Sequence, residues 1–181
     1  MYFAKFALLA IPFLGLSTSK PIIKEKRASS VDVVNTLQNA ISGPITTLKT
    51  SNISQEDAIA ALTSIKSAIT DATSSINTVT TKRDLINNYE NLSKRDDLSI
   101  VGQVLAQVIK DIVEAVEGLA DDLKSLPLIG AIIIDIDFGL NTLLLGVELV
   151  LTGVIEILQG LLSGIANLLQ NLGNGLLAGK L

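Results

Sequence analysis

Apolar residues along this chain fall at helical spacing almost throughout, and the polar residues between them thin out towards the C-terminus. Val31, Val34, Leu37 and Ile41 form a first stripe at steps of three and four. It is expected to end at Gly43-Pro44, where a proline would break a helix interior. A second helix opens at Ser54, an expected N-cap. Glu56 and Asp57 follow in the first turn, where the helix dipole favours carboxylates. Behind it Ala58, Leu62, Ile65, Ile69, Ala72, Ile76 and Val79 make a seam suited to a partner helix. The clearest amphipathic stretch comes next, with Val101, Val104, Leu105, Val108, Ile112, Val116, Leu119 and Leu123 on one face. Gln103, Gln107, Lys110, Asp111, Glu114, Glu117 and Asp121 lie on the other. Leu126-Pro127 and Gly130 then mark a turn. Residues 131–138 (AIIIDIDF) read equally as a short strand or as a helix entry, because apolar and acidic positions alternate around Asp135 and Asp137.

Two periods overlap in the rest of the chain. Glu148, Thr152, Glu156, Gln159, Ser163, Asn167, Gln170 and Asn174 recur at steps of three and four, so they are expected on one helical face. Gly139, Gly146, Gly153 and Gly160 recur at every seventh residue. Each glycine costs a helix about 0.5–1 kcal/mol relative to alanine, so the repeat predicts close approach of another helix or a surface. Residues 157–179 carry no charge and are long enough to cross a bilayer. A single span would set the amides of Gln159, Asn167, Gln170, Asn171 and Asn174 against lipid, which is costly. The pattern favours an interfacial or half-buried helix over a transmembrane one. The fold class expected is all-α: a helical bundle with polar N-terminal helices and long hydrophobic Gly/Leu-rich C-terminal helices.

Charge divides the chain at the same place as hydropathy. Residues 28–95 hold six basic and six acidic side chains, whereas residues 96–181 hold three basic and eleven acidic. The boundary is Lys94-Arg95, which makes 87–97 the expected linker between a polar half (28–86) and a hydrophobic half (98–181). At the N-terminus Lys5, the apolar run 6–16 and the small residues Ser17-Thr18-Ser19 read as a signal peptide over 1–19. Residues 20–27 then read as a short pro-segment ending in Lys26-Arg27. Every arginine in the chain follows a lysine, at Lys26-Arg27, Lys82-Arg83 and Lys94-Arg95. Chance placement would do this in roughly two of ten thousand chains of this composition. Arg27, Arg83 and Arg95 are therefore the candidate positions for dibasic processing. Asn52-Ile53-Ser54 and Asn91-Leu92-Ser93 are glycosylation sequons for a secreted chain, with Asn52 and Asn91 as acceptors.

Composition argues against most chemistry. The chain has no cysteine, so disulfide-stapled secreted scaffolds, thiolate metal sites and cysteine nucleophiles drop out. It has no histidine, the commonest base and metal ligand. Tryptophan is absent, aromatics make up 3% and the net charge is −4, a poor match for nucleic acid. Asp121-Asp122 and Asp135/Asp137 are the carboxylate pairs to weigh. The first reads as the solvated end of a helix, and the second has no calcium-loop spacing around it. No catalytic residue, metal site or cofactor is expected, and the chain is read as a non-enzyme.

Val33-Val34-Asn35-Thr36-Leu37 and Ala61-Leu62-Thr63-Ser64-Ile65-Lys66-Ser67-Ala68-Ile69 resemble the helices of the fungal hydrophobic-surface-binding, or cell-wall galactomannoprotein, family. The split at Lys94-Arg95 and the run 139–148 (GLNTLLLGVE) resemble cysteine-free secreted proteins of filamentous fungi associated with walls and aerial hyphae. Both resemblances imply a helical, extracellular wall protein, and neither transfers a functional residue. The function expected is a secreted, non-enzymatic surface-active or cell-wall structural protein working where apolar and aqueous phases meet. Its partners would be wall or other apolar surfaces, lipid among them, or copies of itself. Two alternatives stand beside it: a bundle that carries fatty acids or other apolar small molecules, and a protease-released fragment that is membrane-active or self-assembling.

Overall fold

A computed structural model describes residues 29–83 and 93–163 of the 181, with side chains for 29–79 and 97–163. The expected signal peptide, the pro-segment, Arg27, Asn91 and residues 164–181 lie outside the described residues. Six helices and no strand occur among the described residues: α1 (Ser30–Leu48), α2 (Gln55–Arg83), α3 (Ser93–Glu117), α4 (Asp121–Lys124), α5 (Pro127–Val150) and α6 (Val154–Leu162). The chain is an all-α bundle.

Local sequence explains the helix starts. Ser29 accepts a hydrogen bond from the Asp32 amide while the Asp32 carboxylate accepts one from the Ser29 amide, a reciprocal cap on α1. Ser54 caps α2 as expected, its hydroxyl accepting from the Asp57 amide at 3.1 Å. Pro127 opens α5 at the position where a missing N–H costs nothing. Residues 131–138 lie wholly within α5, which resolves the strand-or-helix ambiguity in favour of helix.

Three boundaries differ from the sequence reading. Helix α1 does not stop at Gly43-Pro44 but runs through Pro44 to Leu48. An interior proline costs about 3 kcal/mol. Burying Ile45 and Leu48 one turn further on returns about 1.5–3 kcal/mol for each side chain, enough to outweigh it. The amphipathic face expected over 101–123 is broken after Glu117, where α3 ends and the short α4 follows. Lys124 Nζ donates to the Glu117 carbonyl and so ties the two together. Residues 93–97 of the linker expected over 87–97 lie within α3.

The helices pack as a ring in the order α3, α1, α2, α5, α6. α1 and α2 form an antiparallel hairpin. α2 and α5 run parallel, since Lys66 pairs with Asp135, Ile69 meets Gly139 and Ile76 meets Gly146 in ascending register. α3 and α6 also run parallel, with Leu98 beside Gly153 and Ile157 against Gly102. The core is one continuous aliphatic cluster drawn from both compositional halves, including Leu37, Ile65 and Ile69 from the first and Leu105, Ile112 and Leu143 from the second. The break in composition is therefore not a break in the core.

Candidate interfacial surface on helix α5

Helix α5 carries apolar residues on nearly every side, a pattern that demands more burial than one packing face supplies. Its inner side shows what the glycine repeat is for. A Cβ added to Gly139 would stand 3.1 Å from Ile69 Cγ2, and one added to Gly146 would stand 3.2 Å from Ile76 Cγ2. These two glycines, seven apart, let α5 sit closely on two isoleucines of α2 that are also seven apart. The other two serve differently. Gly153 has φ 98°, a left-handed conformation that disfavours side chains, and forms the N-cap of α6. Gly160 has open space where a Cβ would be.

The same turn interrupts the polar stripe expected to lie on one face from Glu148 onwards. Helix α5 ends at Val150 and α6 begins at Val154, and the side chain of Glu148 reaches across the gap. Its two carboxylate oxygens accept from the Gly153 amide at 2.8 Å and the Ile155 amide at 3.0 Å. A carboxylate at those otherwise unpaired amides also meets the positive end of the α6 dipole. Glu148 is thus a cap rather than a member of a continuous stripe.

The outer side of α5 is the unexpected part. Ile134, Phe138, Leu145 and Leu149 are 70%, 73%, 51% and 76% exposed. Their spacing of four, seven and four confines them to a wedge of about 60° along roughly 22 Å of helix. Leu128 at the start of α5 and Leu161 on α6 are exposed as well. By length and composition α5 could cross a membrane, yet only 33% of its most apolar window is buried within the bundle. The sequence had directed attention to residues 157–179 instead. The signal for α5 was its all-round apolarity, obscured by the alternation around Asp135 and Asp137.

Polar groups flank this stripe without entering it. On one side Lys66 Nζ pairs with Asp135 Oδ2 at 2.7 Å, and both side chains are about half exposed. Asp137 and Asn141, one turn apart, lie on the other side, each with a buried oxygen (Oδ1) that has no hydrogen-bond partner. Burial raises the Asp137 carboxyl above its usual range, because desolvation disfavours the charged form. Asp135 and Asp137 therefore do not act as a pair: one is tied to α2 and the other faces the α5 flank alone. Asp121 and Asp122 are exposed in the first turn of α4, with Lys124 3.2 Å from Asp121. No group of three potential metal ligands occurs among the described residues.

The remaining sequence-predicted positions are scattered. Asn52 is exposed in the turn between α1 and α2, with φ 60°. The serine of its sequon, Ser54, is the α2 cap. Arg83 lies in α2, and Lys94-Arg95 lie in α3.

No known family model matches the chain, and no match is found among curated proteins or among solved structures.

Proposed function

We propose that this is a secreted, non-enzymatic, surface-active protein that adsorbs to boundaries between water and an apolar phase, such as a hydrophobic wall surface, through the outer face of α5. The observation that carries this reading is the exposed stripe of Ile134, Phe138, Leu145 and Leu149. Contiguous apolar surface of this kind marks interaction sites on folded proteins. Fully burying a large aliphatic or aromatic side chain is worth about 1.5–3 kcal/mol. Four partly exposed ones supply roughly 5 kcal/mol on adsorption, enough to hold a folded protein at a boundary without unfolding it. The chain has three basic side chains beyond residue 95 against eleven acidic ones, so attraction to anionic lipid contributes little. Wetting, and not headgroup recognition, drives the binding.

The test is tensiometry on the full chain and on a variant carrying I134Q, F138Q, L145Q and L149Q. The wild type should lower surface tension well below the level reached by the variant, with both equally helical in solution. Equal surface activity of the two proteins would overturn the reading.

A further inference from the structure

The turn between α1 and α2 carries the sequon Asn52-Ile53-Ser54. We infer that Asn52 takes an N-linked oligosaccharide, and that the transfer happens before Ser54 caps α2. The inference rests on the secreted part of the reading above and not on the α5 stripe.

The three residues of the sequon have different surroundings. Asn52 is exposed, and its φ of 60° lies in the left-handed region, where asparagine is enriched over most other side chains. The acceptor amide is thus held out in water at little backbone cost. Ile53 is half-buried against the core and anchors the turn. Ser54 is committed to α2: its Oγ donates to Asp57 Oδ2 at 2.7 Å and accepts from the Asp57 amide at 3.1 Å. A transferase that recognises this sequon reads the hydroxyl two residues beyond the acceptor. A serine hydroxyl has one proton to give, and in the folded bundle Asp57 holds it. Asn52 is accessible after folding, but the sequon as a unit is not. Transfer therefore belongs to the chain before the α2 cap closes.

The donor is an oligosaccharide joined to a lipid through pyrophosphate. Asn52 Nδ2 bonds to the anomeric carbon as the bond from that carbon to the pyrophosphate oxygen breaks. The lipid pyrophosphate leaves with the electron pair, and the amide nitrogen gives up one of its two protons. The packing fixes where the glycan is rooted. Lys49 pairs with Glu114 near the C-terminal end of α3, so the α1–α2 turn lies at one end of the bundle. Helix α2 runs away from that end in parallel with α5, and Lys66 meets Asp135 beside the first residue of the apolar stripe. From Gln55 to Lys66 the helix rises about 17 Å at 1.5 Å per residue. The glycan is thus rooted at the end of the bundle, clear of Ile134, Phe138, Leu145 and Leu149. The modified protein has a hydrated, sugar-bearing end and an apolar flank.

The test is translation of the full chain in the presence of endoplasmic-reticulum microsomes. Import is read by resistance to added protease. The glycan is read by peptide mass mapping after treatment with peptide N-glycosidase, which leaves aspartate wherever an asparagine carried sugar. The expected result is an imported chain with aspartate at position 52, and loss of that glycan in N52D, a variant that keeps a residue tolerant of the left-handed turn. Imported chain with unmodified Asn52 would overturn the inference and leave the adsorption reading standing. A chain that stays outside the microsomes would overturn both this inference and the secreted reading. The order of events has its own arm. Folded, unglycosylated chain and a peptide of residues 48–58 are offered to the solubilised transferase with its lipid-linked donor. The peptide should be glycosylated at Asn52 and the folded chain should not. Transfer to Asn52 of the folded chain as readily as to the peptide would show that the Ser54 cap does not decide the timing.

Discussion

Helices α3 and α5 both contribute an inner face to the same core, but they meet water differently. The outward side of α3 carries Gln103, Gln107, Lys110 and Glu114, with Gln107 donating to Asp111 and Lys110 3.8 Å from Glu114. The outward side of α5 carries Ile134, Phe138, Leu145 and Leu149. The first is the arrangement of an ordinary surface helix. The second is not required by the fold, because α5 already buries Ile136, Leu140, Leu143 and Val147 on its inner side. The proposed adsorption rests on these four large apolar residues, held at one angular position on a helix whose inner packing does not use them.

The contrast can be broken from the inside first. Gly146→Leu forces a side chain into the 3.2 Å approach to Ile76 and should lower the unfolding free energy by about 1–3 kcal/mol, read by urea titration. Gly160→Ala, from the same heptad series but in open space, should raise it by about 0.5–1 kcal/mol. If both substitutions shift stability in the same direction, the division of the glycines into packing and non-packing positions is wrong.

A smaller effect, graded with pH, concerns the flank of the outer stripe. Burial raises the Asp137 carboxyl in the folded state, so the folded protein holds that proton more tightly than the unfolded chain does. Its contribution to stability is fully present below the unfolded carboxyl range and is lost as pH rises through the higher folded value. Asp137→Asn should therefore be more stable than wild type at neutral pH. Thermal melts should show that advantage shrinking as the solution is acidified towards the ordinary carboxylate range. An advantage that does not change with pH would remove the buried charge as its cause.

Much of the bundle was readable from spacing alone. The stripes through Leu37 and Ile41, through Leu62, Ile65 and Ile69, and through Leu105 and Ile112 are the core as built. Local capping by Ser54 followed from the residue types. The misplaced boundaries are those where a distant contact outweighs a local preference. Pro44 stays inside α1 because Ile45 and Leu48 find burial in the bundle. The polar stripe is interrupted after Glu148, whose carboxylate, still within α5, caps the α6 amides. The outer stripe was hidden for a different reason. Periodicity identifies an apolar face, but α5 is apolar all round, and only packing against α2 decides which side is left over. The Lys-Arg pairs were plain in the sequence, yet composition suggested two separable halves. The register of α2 on α5 joins them in one core.

The central claim is that the outer face of α5, and no other face of the folded bundle, meets the apolar phase. The chain contains no tryptophan, so a single one is an unambiguous reporter. Phe138→Trp places it in the α5 stripe, and Gln107→Trp places it on the outward side of α3. On addition of an oil-in-water emulsion, the emission of the Phe138→Trp protein should shift to shorter wavelength, with helicity unchanged, while that of the Gln107→Trp protein stays where it was. A shift of both, or of neither, would contradict the account.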